Sequence, residues 1–212
     1  YDRFTALDAI GPYEVLSRLP GARVTFVATQ PGPVRTDNGM LTILAERSLE
    51  QAHSPDIVLV PGGPGNVAAR AGEQVLDWLR AADRVSTWTT SVCTGSLILA
   101  AAGLLDGKRA TSHWLALEEL RGLGAEPVAG RVVFDGKLVT AAGVSAGIDM
   151  ALTLAARIAG ETVAQAIQLG IEYDPQPPFD AGSPAKAPAE VVELLRAARC
   201  TRESEALASP ST

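Results

Sequence analysis

The chain has 212 residues, enough for one well-filled core and short for two. Hydrophobic residues make up 47% and charged residues 20%, the balance of a soluble globular protein and not of a disordered one. A formal charge of -6 without clustered Lys or Arg argues against nucleic acid as a partner, and no run reaches the roughly 18 apolar residues of a bilayer span, which argues against a membrane.

Strand-like and helix-like segments alternate along the chain, the pattern of an α/β fold with a mostly parallel sheet covered on both faces. Gly11-Pro12 opens a short helical stretch that ends at Pro20, and Val24 to Ala28 predicts a strand followed by a turn at Pro31 to Pro33. Asp56 to Val60 is a continuous apolar run, as a strand buried on both faces requires, and it stops at Pro61-Gly62-Gly63-Pro64-Gly65. Asn66 to Ala82 has helical period, with Val67, Val75, Leu76 and Leu79 as buried candidates. Val85 to Val92 predicts the next strand, which runs directly into Cys93-Thr94-Gly95-Ser96 and a small-residue helix from Leu97 to Ala102, stopped by Gly103.

Short strands are expected at Arg109 to Ser112 and Arg131 to Phe134, flanking a helix around Leu115 to Leu120. Asp135-Gly136 between apolar pairs is a hairpin signal. Helices at Ala146 to Ile158 and Glu161 to Leu169 close the body. Tyr173 to Pro188 holds five prolines and reads as a strap, after which Ala189 to Arg199 resumes a helical period, with Pro188 suited to its first turn. Residues 1–200 are expected to form a single domain, and 201–212 a frayed tail.

The two cysteines sit in unlike surroundings, Cys93 in an apolar run and Cys200 in a polar tail, so no disulfide framework is expected and a reducing compartment fits better. The N-terminus lacks the charged-then-apolar pattern of a signal peptide, which makes the cytoplasm the expected location. Two histidines and no paired cysteines give no metal spacing, and none of the motifs calls for a cofactor.

Chemistry concentrates at Ser91-Val92-Cys93-Thr94-Gly95. A nucleophile between a buried strand and a helix is pushed out at the carboxyl edge of the sheet, in the manner of a nucleophile elbow with Cys in place of Ser. The helix N-terminus favours a thiolate there. The alternative is a buried structural cysteine. Gly62 and Gly63 are either a plain turn or, with the Thr94 amide, an oxyanion-binding loop. Asp8 is either a helix cap or a general acid with a raised pKa near the thiol, and the residues alone favour the cap. His113 lies 20 residues after Cys93, where a Cys-His pair would be one route to activation, and His53 reads as a solvated loop residue.

These motifs together resemble the DJ-1/PfpI superfamily, and within it the isocyanide hydratase branch. The resemblance rests on LDxxGPxxVL from Leu7, PGPV from Pro31, PGG from Pro61, SVCTGSLILAAAGLLDGKRATSHW from Ser91 and GxxAGIDMALTLAA from Gly143, with the strap from Glu172 to Pro184. It implies a flavodoxin-like three-layer sandwich, a homodimer, and a β-strand ahead of LDxxGP that is expected to precede Tyr1.

The resemblance also implies a small-molecule substrate and a cofactor-free hydratase. Cys93 would be the nucleophile, Asp8 the acid, and Thr94 the hydroxyl that orients substrate or water, with Gly62, Gly63 and Thr94 binding the developing charge. Water would add to an isocyanide through a Cys93 thioimidate to give an N-substituted formamide. Protease-like relatives carry His where this chain has Thr94, which lowers the expectation of peptide hydrolysis. His113 is expected to be structural or a dimer contact, and Pro64 stands where related chains often have Thr. The alternatives are glyoxalase- or deglycase-like chemistry on dicarbonyls and a non-enzymatic cysteine redox sensor.

Overall fold

The computed structural model describes the backbone of residues 1–208 and the side chains of residues 1–198. In chain order the elements are α1 (Ala6–Leu16), β1 (Val27–Ala28), β2 (Gly32–Arg35), β3 (Thr42–Ala45), β4 (Arg47–Ser48), β5 (Ile57–Val60), α2 (Asn66–Ala69), α3 (Glu73–Val85), β6 (Trp88–Val92), α4 (Gly95–Ala101), β7 (Arg109–Ala110), α5 (Leu117–Gly122), β8 (Glu126–Pro127), β9 (Val132–Asp135), β10 (Leu138–Ala141), α6 (Ala146–Ala159), α7 (Glu161–Gly170) and α8 (Ala189–Ala208). The chain divides into two compact units, Tyr1–Tyr173 and Asp174–Thr212.

In the first unit a four-stranded sheet has the order β5-β6-β10-β9, parallel except for β9, which pairs antiparallel with β10 across the hairpin at Asp135-Gly136. Two-stranded pairs β1-β4 and β7-β8 are parallel and β2-β3 is antiparallel. The period-2 alternation of a strand sends side chains to opposite faces. Val58 and Val60 of β5 therefore join Leu76 and Leu79 of α3 and Leu97 to Ala100 of α4, while Ile57 and Leu59 turn to a cluster built from Val15, Leu154 and Ile167 of α1, α6 and α7. Helices thus cover both faces, and β6 and β10 lie almost wholly inside. Parallel strands buried on both sides need the near-continuous apolar and small residues these segments carry.

Register decides where chemistry can happen. Val60 of β5 pairs with Ser91 of β6, and Ala141 of β10 pairs with Val92. The three strands therefore end at one edge, and Pro61-Gly62-Gly63, Cys93-Thr94 and Ala142-Gly143-Val144 all leave the sheet there. Open α/β sheets bind ligands beyond the carboxyl ends of their strands.

Several expectations change. The strand expected over Val24 to Ala28 narrows to Val27–Ala28, and Pro31 to Pro33, expected as a turn, runs into β2 of a hairpin whose tip carries Met40. The helix expected over Asn66 to Ala82 is two helices, because Gly72 adopts an extended ψ of 102° and starts α3 afresh. Val67 and Val75 are not fully buried, whereas Leu76 and Leu79 are. Val85 is the last residue of α3 and 60% exposed, so β6 begins three residues later than its β-branched side chain suggested.

In the second unit, residues 175–188 form no regular element apart from a turn in which Lys186 and Ala187 N–H groups donate to the Ser183 carbonyl, and Lys186 pairs with Asp180 at 2.7 Å. Pro188 opens α8, its carbonyl accepting from Val191 and Val192. The helix expected to stop at Arg199 continues to Ala208 through Glu, Ala and Leu, all good helix formers. The Cys200 side chain and the tail residues 209–212 lie outside the described residues. Among the described residues, no helix is long and apolar enough to cross a membrane.

Candidate active site

Strand β6 delivers Thr89 to Val92 into the core, and the chain then turns abruptly at Cys93, whose φ is 57°. A non-glycine residue in the left-handed region costs roughly 1–2 kcal/mol, so its surroundings must hold it there. They do so from both sides of the residue. The Cys93 N–H donates to the carbonyls of Ala141 (3.1 Å) and Ala142 (3.0 Å), and its carbonyl accepts from the hydroxyls of Ser96 (3.1 Å) and Ser112 (3.0 Å). The free thiol that results is 5% exposed at the mouth of α4.

Asp8 lies in the first turn of α1 and does not cap it; Thr5 occupies the N-cap position. The side chain instead crosses to the loop after β5, where Oδ2 accepts from the Gly62 N–H at 2.8 Å. The residue is fully buried, and Oδ1 has no partner among the described residues. The Cys93 thiol stands beside this carboxyl, close enough to favour its charged form. Burial dominates: it pushes Asp8 up to about 7 against the opposing pull of the Gly62 N–H and the thiol, with the nearby Asp37 adding to the rise.

Burial likewise pushes Cys93 up to about 12, helped by the charge of Asp8 and opposed by the Thr94 and Val144 N–H groups and the Thr94 hydroxyl. The expectation of a thiolate held by a helix N-terminus therefore needs correction. In these desolvated surroundings the resting form is a thiol beside a carboxyl. The two groups form one titrating pair, which holds a single shared proton from about pH 7 to about pH 12.

The glycine loop plays a different part from the one expected. The Gly62 amide is committed to Asp8, and the Gly63 amide donates to Thr94 Oγ1 at 2.9 Å. Neither is free to bind an oxyanion. The amides facing the sulfur belong to Thr94 and Val144. The glycines are needed for space: a Cβ on Gly62 would lie 2.5 Å from Thr94 N and 2.8 Å from Asp8 Oδ2, and Gly63 has a φ of 133°. The loop's carbonyls are tied down in turn, Pro61 by the Tyr1 hydroxyl (2.8 Å), Gly62 by Thr5 N–H (2.8 Å) and Gly63 by Asn66 Nδ2 (2.8 Å).

His113 does not reach the role of base. Its Nδ1 accepts from the Leu115 N–H at 3.3 Å, and its ring packs against Gly143, where a Cβ would meet Cδ2 at 2.8 Å. It buttresses the loop that brings the Val144 amide to the sulfur, a loop also held by Arg131 through Ser145 Oγ at 3.2 Å. His53 is exposed. Sequence reasoning missed Tyr1, Ser112, Asn66 and Val144, whose partners come from distant segments or act through the backbone, so no local signal marked them.

The DJ-1/PfpI family model matches residues 1–157. The chain is 48% identical over 190 residues to the isonitrile hydratase of Pseudomonas putida, covering 90% of this chain and 83% of that protein. It is 33% identical over 162 residues to the HTH-type transcriptional regulator CdhR of Pseudomonas aeruginosa, covering 74% of this chain and spanning about half (48%) of the regulator. Among solved structures, a THiJ/PfpI family protein from Pseudomonas syringae superposes with a TM-score of 0.91 at 39% identity, over 99% of this chain and 88% of that one.

Proposed function

The chain belongs to the DJ-1/PfpI family, and from that premise we propose that it is a hydratase that adds water to an isocyanide, giving an N-substituted formamide through a covalent intermediate on Cys93. One observation supports the mechanism: a buried carboxyl with an oxygen unpartnered among the described residues stands beside a buried thiol, and above about pH 7 the two hold one proton between them.

The chemistry needs little else. As Sγ attacks the terminal carbon of R–NC, its proton passes to Asp8 and from there to that carbon, leaving the thioimidate Cys93–S–CH=N–R. Asp8 is again a carboxylate. It takes a proton from water as the hydroxyl adds to the same carbon, and returns it to nitrogen. Collapse to R–NH–CHO expels the sulfur, which recovers the hydroxyl proton. A single acid–base group cycles twice, a contribution of about 10²–10⁴ in rate for such groups. The Thr94 and Val144 amides steady the sulfur as charge develops, and the Thr94 hydroxyl orients substrate or water. Gly62 and Gly63 fix Asp8 and Thr94 in place.

The strand–turn–helix at Cys93 supports the nucleophile-elbow reading, and helices on both faces of the sheet support a flavodoxin-like sandwich. A homodimer is part of the proposal; Met40 (86% exposed), Leu41 and Leu44 on the β2–β3 hairpin offer apolar surface for it. So is a cytoplasmic setting, which suits a free thiol. The redox-sensor alternative asks for an accessible thiolate, and the burial and raised pKa of Cys93 weigh against it.

Incubation with an alkyl and an aryl isocyanide, with formamide followed by chromatography, tests the reading. Formamide formation that disappears in Cys93→Ala is expected. Consumption of methylglyoxal without isocyanide turnover would select the dicarbonyl alternative.

A further inference from the structure

Tyr1 and Asp8 share a peptide group. The Tyr1 hydroxyl donates to the Pro61 carbonyl at 2.8 Å, and the N–H of that same Pro61–Gly62 peptide donates to Asp8 Oδ2 at 2.8 Å. We infer that Tyr1 is a positioning residue for the acid–base group, acting through this peptide to strengthen the hydrogen bond that favours the Asp8 carboxylate. The inference rests on the proposed role of Asp8 and adds a residue to it.

A hydrogen bond accepted at a carbonyl polarises the amide and makes its N–H a better donor, an effect of about 10–30% per bond in a low-dielectric interior. The chain Tyr1 O–H to Pro61 C=O, then Gly62 N–H to Asp8, runs through such an interior, since Asp8 and Gly62 are both buried. Its geometry is held independently of the carboxyl: Thr5 N–H fixes the Gly62 carbonyl, Gly63 N–H binds Thr94, and the Tyr1 ring packs over Gly65, where a Cβ would come within 3.0 Å of Cδ2. The phenol is a dependable donor. Burial, with the charges of Asp8, Cys93 and Asp37, keeps its proton on well above the ordinary range.

Among the described residues, few titratable groups face Asp8. Cys93 approaches from the β6–α4 turn, Asp37 from the loop after β2, and Tyr1 from the segment before α1. Loss of the Tyr1 hydroxyl changes no net charge near neutral pH. It removes support for the carboxylate, so the midpoint of the pair's first deprotonation moves up.

The test uses the intact 212-residue chain and needs no isocyanide. Cys93 alkylation by iodoacetamide, quantified on the Cys93 peptide by mass spectrometry as a function of pH, reports when Asp8 becomes a base. In Tyr1→Phe the midpoint is expected to rise by roughly 0.3 pH unit or more. 3-Fluorotyrosine at position 1, a stronger donor, should lower it. With Asp8→Asn in the background, the difference between Tyr and Phe should vanish. A uniform change in rate with an unmoved midpoint in both Tyr1→Phe and the fluorotyrosine protein would overturn the inference, since Tyr1 would then only pack the loop. Absence of isocyanide turnover in the unaltered protein would instead strike the hydratase reading and leave the alkylation result to stand by itself.

Discussion

Asp8 and Gly62, 54 residues apart in the chain, meet in a 2.8 Å hydrogen bond between a buried carboxylate oxygen and a backbone amide. That bond joins the start of α1 to the loop after β5 and holds the carboxyl in place beside the Cys93 thiol. Asp8→Asn keeps an acceptor for Gly62 but cannot carry a proton. Turnover is expected to fall by about 10²–10⁴-fold, and the rise of kcat/KM with pH through about 7 in the unaltered protein should disappear.

The same substitution should stabilise the fold. Asp8 goes from an ordinary 3.8 to about 7 on folding, so between those values the folded state keeps a proton that the unfolded chain has released. Stability from this group is full at low pH, falls as pH rises from about 4 to about 7, and stays low above that, a cost of up to about 4 kcal/mol. Thermal unfolding should therefore show Asp8→Asn more stable than the unaltered protein at pH 8 and close to it at pH 4. Equal differences at both values would mean the carboxyl is not desolvated as described.

Gly62 and Gly95 separate site geometry from fold. A Cβ at Gly62 would press on Thr94 N, Thr94 Oγ1 and Asp8 Oδ2, all groups of the site. A Cβ at Gly95 would overlap the Val60 carbonyl oxygen, where α4 crosses the end of β5. Gly62→Ala is expected to lower kcat by 10²-fold or so with part of the thermal stability kept, because misplacing reacting groups by about an ångström costs that much. Gly95→Ala should instead cost on the order of 3 kcal/mol of stability and show up as loss of soluble protein.

Thr94 links the glycine loop to the sulfur through Oγ1. Thr94→Val preserves shape and leaves the Gly63 N–H without its acceptor, whereas Thr94→Ser keeps the hydroxyl. A fall in kcat of about 10-fold for Val and a nearly unchanged value for Ser is expected, which corresponds to one hydrogen bond of roughly 1.4 kcal/mol.

Much of this was legible in the chain because its signals are local. DIVLV followed by PGG, the Ser91 to Gly95 turn and Asp135-Gly136 each mark a change of backbone direction within a few residues, and all three fall where expected. What the sequence hid depends on long-range pairing. Tyr1 finds Pro61 at a separation of 60 residues, and nothing beside either residue announces it. The amides of Gly62 and Gly63 were legible as available donors, but their commitment to Asp8 and Thr94 depends on how β5 and β6 align. The resting thiol was hidden for the same reason, since desolvation is set by what packs around Cys93 from β10 and α6. Helix and strand limits failed where local propensity and tertiary packing disagreed, as at Val85, a β-branched residue that finishes a helix.

The central claim is that Cys93 bonds to the isocyanide carbon before water does. Rapid-quench mass spectrometry during turnover measures this most directly. A transient adduct on the Cys93 peptide, equal in mass to one whole isocyanide, is expected to form and decay at rates consistent with formamide production. Formamide produced by Cys93→Ala at an undiminished rate, or turnover in which that peptide never gains mass under conditions that trap thioimidates, would contradict it.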